Sequence, residues 1–258
     1  MNGVELLKSN RGTVPKGSSA FTPKNQLLSA LPGRAFASLQ PHLSAVTLAH
    51  GTVLFDADQL LTHIYFMESG VVSLRHAFEN RVTVGVAAVG REGAVDLQTL
   101  LLGGNTALGR WQILVPGSAL AVEVSRFWQV LRRSPKLRMA CEAYTRALFV
   151  QVLQAIPCHR LHMVEQRCAR WLLMCADRME DDTFELAQES LAQILCVARS
   201  AVTAIAGTLQ QAELIRYRRD EVTVLDRRGL EAAACECYRI VGNRCDRLSA
   251  LGCDLPRA

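Results

Sequence analysis

Residues 188–225 read QESLAQILCVARSAVTAIAGTLQQAELIRYRRDEVTVL. Leu191, Ile194 and Leu195 recur at three- and four-residue spacing, which puts them on one buried helical face. Cys196, Val197 and Ala198 supply a turn. A second helix, Arg199 to about Gln210, buries Val202, Ile205, Ala206 and Leu209 and leaves Arg199, Ser200, Thr203, Gly207 and Gln210 on the other side. That side is polar and built of short side chains. A helix entering a major groove needs such a face, with an N-terminal arginine able to donate two hydrogen bonds to guanine and hydroxyls able to reach a base or a phosphate. Next, Ile215, Tyr217, Val222 and Val224 alternate around an Arg219-Asp220 turn, as a hairpin does. Arg216, Arg218 and Arg219 on that hairpin are placed to neutralise phosphates. From 188 to 228, six arginines (199, 216, 218, 219, 227, 228) face five carboxylates (189, 213, 220, 221, 226), so the signal lies in placement and not in bulk charge.

Two short helices about a three-residue turn also occur in helical proteins that bind no DNA. The alternative reading is a sensor or interaction module whose winged helix packs on a protein partner. Against it stands the run LAQILCVARSAVTAIAGTLQQAELIRYRR at 191–219, which resembles the winged helix-turn-helix of the Crp/Fnr transcription regulators. The resemblance implies a cytoplasmic homodimer that binds double-stranded DNA, with RNA polymerase as a further partner. Four positions depart from the family's usual form: Cys196 and Glu213 stand where Gly is common, and Ala187 and Ala198 where a capping Ser or Thr is usual. A missing cap costs about 1 kcal/mol.

A chain of 258 residues has room for two domains, and 50% hydrophobic residues are ample for packed cores. The net charge of +5 is mildly basic. No apolar run is long enough to span a bilayer, and MNGVELLKSNRGTVPKGSSA at the N-terminus lacks the apolar core of a secretory signal. Residues 1–23 are expected to be a flexible tail, and 243–258 a C-terminal tail. All nine cysteines lie from Cys141 onward with no C-x-x-C pair, so reduced and mostly buried thiols are expected. Family members with an iron-sulfur cluster draw most of its ligands from an N-terminal cysteine group, which is missing here. Cys158, His159 and His162 sit close together but lack a fourth ligand, and Cys235 and Cys237, on one continuous helix, would diverge by about 200°. No metal and no cofactor are expected.

From Lys24 two short helical pieces are broken at Pro32 and Pro41. Short strands follow at 46–48, 52–55, 64–67, 71–74, 82–89, 112–115 and 119–124, separated by Gly51, Ser69-Gly70, Gly90, Gly103-Gly104 and Pro116-Gly117. Such spacing argues for an antiparallel barrel or roll. IYFMESGVVSL resembles a hairpin of the double-stranded β-roll that forms the Crp/Fnr sensor domain, expected here at 24–134. In cyclic-nucleotide-binding members a Gly-Glu pair holds the ribose and an Arg holds the phosphate. The comparable stretch, GREGAVDLQTLLLGGNTALGRWQIL at 90–114, has Asp96-Leu97 in place of the pair, Arg110 at the arginine position and the bulky Trp111 behind it. A ribose would lose its acceptor, so a cyclic nucleotide is not the expected effector.

Pro135 opens a long helix. Leu137, Cys141, Tyr144, Leu148 and Val152 recur along it at helical spacing, a stripe expected to make the dimer, with a core-facing role as the alternative. Pro157 is expected to kink or end this helix. The dimerisation helix is set at 135–161 and the winged helix-turn-helix at 162–242, closing with a helix capped by Asp226. The fold expected is thus α+β. No Ser-His-Asp set, Gly-rich phosphate loop or carboxylate pair in a recognisable context appears, so nothing supports an enzyme.

Overall fold

The computed structural model describes residues 12–13, 21–78 and 83–243, so most of the two expected tails lies outside the described residues. Gly12–Thr13 (β1) pairs antiparallel with Ser44–Ala45. Two short helices, α1 (Gln26–Ser29) and α2 (Gly33–Leu39), lead into the roll. Its strands are β2 (Ser44–Leu48), β3 (Val53–Phe55), β4 (His63–Ala77), β5 (Thr83–Val89), β6 (Ala94–Val95) and β7 (Arg110–Glu123), with helix α3 (Leu97–Leu101) before β7. They form one antiparallel sheet in the order β1-β2-β7-β4-β5, β3 adding to β7 and β6 to β4. The glycine pairs expected to break strands are bends within two long strands. Ser69-Gly70 and Pro116-Gly117 face each other where the β4–β7 register shifts, Gly70 has φ +79°, and a Cβ on Gly117 would sit 2.3 Å from Ser69 O. Bulges of this kind increase strand curvature, which rolls the sheet.

Helix α4 (Val124–Arg133) precedes α5 (Pro135–Leu161). Ser134 caps α5 by accepting from Leu137 N, and Pro135 takes the first turn, where its missing N–H costs nothing. Pro157 does not end the helix, which runs four residues past it. The expected outward stripe on α5 also requires correction. Leu137, Cys141, Tyr144 and Leu148 are buried in the roll's own core, and Val152 packs against it. Tyr144 Oη donates to Ala94 O at 3.0 Å, and the approach is possible because a Cβ on Gly93 would lie 1.9 Å from the tyrosine ring. The seam faces inward because a roll of this size leaves apolar surface that α5 must cover. The large apolar residues α5 exposes are Phe149, Leu153, Ile156 and, at its end, Leu161.

The remainder comprises α6 (Val164–Ala176), β8 (Thr183–Glu185), α7 (Gln188–Leu195), α8 (Arg199–Gln211), β9 (Ile215–Arg218), β10 (Glu221–Val224) and α9 (Arg227–Ala233). The three strands form a sheet in the order β8-β10-β9. A second core joins these elements to the outer face of the roll through Val71, Ala88, Leu114 and Val115. Asp226 caps α9 as expected, its side chain accepting from Gly229 N. The last helix, however, is not continuous. It stops at Ala233, Ala234 is extended (ψ 156°), and helical residues resume at Cys237. Nothing in AAACEC marks that break, and it cancels the expected divergence of Cys235 and Cys237.

Both α7 and α8 end in a Schellman turn. Val197 N donates to Ala192 O and Cys196 N to Gln193 O; Leu214 N donates to Leu209 O and Glu213 N to Gln210 O. The motif puts Cys196 (φ 58°) and Glu213 (φ 57°) in the left-handed region, where a Cβ costs about 1–2 kcal/mol. Because glycine also gains entropy on unfolding, Glu213→Gly and Cys196→Gly should each add about 1 kcal/mol net, a rise of about 2–4 °C in melting temperature. Calorimetry checks this, and a lowered melting temperature would show that the native side chain makes a compensating contact.

Candidate nucleic-acid interface

The chain turns through 107° between α7 and α8, within the range of helix-turn-helix units. Buried Leu191, Ile194 and Leu195 on α7 meet buried Val202, Ile205, Ala206 and Leu209 on α8. Neither helix has a side-chain cap, since Ala187 and Ala198 occupy the cap positions. The first-turn amides of α8 are left without a cap from the chain itself, which suits an anion at that end.

Arg199, Ser200 and Thr203 are all exposed on the outward face of α8, and Gly207 is half-buried beside them. Thr203 Oγ1 donates to Gln188 Oε1 at 2.7 Å, which links the face to the start of α7. A Cβ on Gly207 would meet nothing within 4 Å, and its φ does not require glycine. A mid-helix glycine costs about 1 kcal/mol against alanine, so its smallness serves something outside this chain's own packing. Gln210 is exposed, but its Oε1 accepts from Tyr217 N at 2.9 Å, so this residue ties α8 to the wing.

The wing forms as the alternation implies. Ile215, Tyr217, Val222 and Val224 point inward, and Arg218 opposes Glu221 across a two-residue turn. Arg219 (φ 48°) and Asp220 (φ 65°) both adopt the left-handed conformation that such a turn demands. Burial pushes the Tyr217 hydroxyl pKa up, and the hydroxyl donates to Leu186 O, anchoring the wing to the strand before α7. Arg216 reaches Thr223 Oγ1 at 3.4 Å; Arg218 and Arg219 point to solvent. Among the described residues none of Arg199, Arg216, Arg218 and Arg219 is in an ion pair.

The degenerate cassette lies elsewhere, inside the roll. Asp96, Leu97 and Trp111 are completely buried. Asp96 accepts from Thr99 Oγ1 at 2.6 Å and Gln98 Nε2 at 2.8 Å, and burial raises its carboxyl pKa against the opposing pull of the Thr99 hydroxyl. Arg110 pairs with Asp56 at 2.9 Å. Asp96 and Arg110 are thus engaged by neighbouring residues, and Trp111 with Leu97 and Leu100 fills the interior.

The chain's own periodicity gives no hint of a convergence of Cys158, His162, Cys235 and Cys237, whose ligand atoms lie within 4.8 Å of one another. Cys158 lies in the last turn of α5 and His162 is its C-cap, four residues on. Cys235 and Cys237 join them only through the unmarked break after α9.

Comparison with known proteins agrees with this geometry. The Crp-like helix-turn-helix domain family matches residues 166–233. The chain is 24% identical over 183 residues to the global nitrogen regulator of Nostoc sp., covering 67% of this chain and 81% of that protein. Its fold is similar to that of FixK2 from Bradyrhizobium japonicum (TM-score 0.64, 11% identity, 75% of this chain and 98% of that one). It is likewise similar to the c-di-GMP-responsive global regulator CLP of Xanthomonas campestris (TM-score 0.60, 15% identity, 75% and 99%). The chain thus carries a Crp-like helix-turn-helix domain, and its β-roll, long connecting helix and winged helix share the fold of FixK2 and CLP.

Proposed function

We propose that the chain acts as a homodimer that reads a two-fold-related DNA site through α8 and grips the backbone through the wing. The observation that carries this is the outward face of α8: Arg199, Ser200 and Thr203 exposed, Arg199 without an internal ion pair among the described residues, and Gly207 small for no reason internal to the fold. Arg199 opens the helix and reads a base edge, while Arg216, Arg218 and Arg219 neutralise phosphates. Gln210 acts by holding the wing against α8. The protein works where its DNA is, in the cytoplasm of a bacterial-type cell, and RNA polymerase is its natural second partner.

Dimerisation follows from charge and shape. Six arginines against five carboxylates give one copy little electrostatic affinity, whereas a second tethered copy raises avidity by about 10² to 10⁴. The surface for it is the exposed row of α5: Phe149 at 60%, Leu153 at 51% and Ile156 at 70% exposure. These residues recur at four- and three-residue steps on one face, as a helix pairing with its own copy requires. The effector is not a cyclic nucleotide, because Asp96 is completely buried with its Oδ1 held by Thr99 and Gln98, Arg110 pairs with Asp56, and Trp111 fills the space.

Arg199→Ala should cost about 1–3 kcal/mol on the preferred site and relax selection at one position per half-site. Arg218→Ala should weaken all sequences alike and lower the salt slope by about 0.9 for each phosphate no longer neutralised. Binding-site selection on random duplexes with a salt titration checks both; unchanged selectivity in the first variant removes Arg199 from base readout. Leu153→Glu should split the dimer and weaken specific binding by about 10² or more with the fold intact, whereas Leu148→Glu should unfold the roll. Ultracentrifugation with circular dichroism decides, and a dimeric Leu153→Glu places the interface elsewhere. Calorimetry with millimolar cyclic AMP or cyclic GMP should record no heat of binding; saturable micromolar affinity would refute the reading of the cassette.

A further inference from the structure

We propose that Cys158, His162, Cys235 and Cys237 form a mononuclear zinc site that fastens the end of α5 to the chain segment after α9. Zn–S bonds of about 2.3 Å and Zn–N bonds of about 2.0–2.1 Å place tetrahedral S···S and S···N edges at about 3.8 and 3.6 Å. Here Cys158 Sγ and Cys235 Sγ are 3.6 Å apart, and Cys237 Sγ and His162 Nδ1 are 3.5 Å apart. All four ligand atoms lie within 4.8 Å of one another, a compass that suits a single ion with three sulfurs and one nitrogen.

The surroundings match the electrostatics of such a centre. The three thiols form a buried cluster of their own, separate from both hydrophobic cores. Arg170 is 4% exposed, has no carboxylate partner among the described residues, and its Nη1 donates to Cys158 Sγ at 3.2 Å. A buried guanidinium without a carboxylate partner calls for negative charge beside it, and the sulfur of Cys158 is the group it touches. Three thiolates, a neutral imidazole and Zn²⁺ carry one net negative charge, which that guanidinium neutralises. Gln154 Nε2 donates to Cys237 Sγ at 3.2 Å, and His162 turns its other nitrogen toward Glu236 Oε1 at 3.9 Å, in the sense of outer-sphere support. The break after Ala233, with no proline or glycine to cause it, is what turns Cys235 and Cys237 toward α5.

Binding is written without redox change: three thiols lose their protons to solvent as Zn²⁺ replaces them on sulfur, and the imidazole donates its lone pair from Nδ1. The consequence is mechanical. The ion crosslinks the helix carrying Phe149, Leu153 and Ile156 to the far end of the winged helix domain, so the recognition helix is held at a fixed orientation to the dimer seam.

The test uses the full chain, reduced and chelator-treated, titrated anaerobically with Co²⁺ and then Zn²⁺. One equivalent of Co²⁺ per chain should give tetrahedral ligand-field bands and thiolate-to-cobalt charge transfer, displaced by one equivalent of Zn²⁺. Cys237→Ser should lower metal affinity by more than about 100-fold, while Cys196→Ser at the exposed turn should leave stoichiometry and affinity unchanged. Should Cys237→Ser fail to fold, alkylation mapping of the unmodified chain decides: Zn²⁺ should protect Cys158, Cys235 and Cys237 and leave Cys196 reactive. The proposal is overturned by an octahedral cobalt spectrum without charge transfer or by undiminished affinity in Cys235→Ser/Cys237→Ser. An iron chromophore in the isolated protein, or a Cys158–Cys235 disulfide in protein isolated without oxygen, would also overturn it. None of these readouts involves DNA, so they stand or fall apart from the regulator reading.

Discussion

Helix α5 can lie on the roll because residue 93 has no side chain. With any Cβ there the ring of Tyr144 would be displaced, its hydrogen bond to Ala94 O broken, and the inward row of Leu137, Cys141 and Leu148 lifted from the sheet. Everything downstream takes its position from that close approach. It decides which face of α5 is left exposed, where Cys158 and His162 project, and where α6 begins. A burial of about 1.5–3 kcal/mol per large apolar side chain makes the register of α5 on the roll hard to shift.

The winged helix domain is held against the same roll by a second apolar layer with polar links around it. Ile194 packs against Gly85, Arg178 pairs with Glu92 at 2.7 Å and donates to Ala88 O, Arg75 donates to Gln193, and His50 meets Ser190 at 3.0 Å. Arg75 is nearly fully buried, and desolvation, with the Arg110 charge behind it, lowers its pKa to about 10. These contacts use α7 and Arg178, just after α6, and leave the outward face of α8 untouched. The first helix of the pair docks the domain, and the second is thereby left to face outward.

Much of this is legible in the chain, and what is not has physical reasons. Periodicity and turn chemistry locate α7, α8 and the wing to within a residue or two, because each buries one face and ends in a recognisable turn. The strands of the roll are legible too, but Ser69-Gly70 and Pro116-Gly117 read as strand ends; a glycine marks both a turn and a bend, and only the pairing partner tells them apart. The stripe on α5 is real yet faces the roll and not a second copy, since periodicity reports that a face is apolar and not what covers it. Cys235 and Cys237 cannot be placed from the sequence at all, because the helix break between Ala233 and Cys237 has no breaker residue to announce it.

Backbone strain in the described chain is concentrated where the winged helix must bend. Cys196, Glu213, Arg219 and Asp220 all hold positive φ without being glycine, and three of the four flank the outward face of α8 or its wing directly. At about 1 kcal/mol or more each, they take a large share of the roughly 5–15 kcal/mol that holds a small domain folded. A winged helix built this way needs an external frame. The apolar layer shared with Val71, Ala88, Leu114 and Val115 of the roll supplies one side of that frame, and the C-terminal segment returning to the end of α5 supplies the other. Strain that an autonomous DNA-binding domain could not carry is thus offset by making the domain part of a larger body, and its orientation becomes a property of the whole chain.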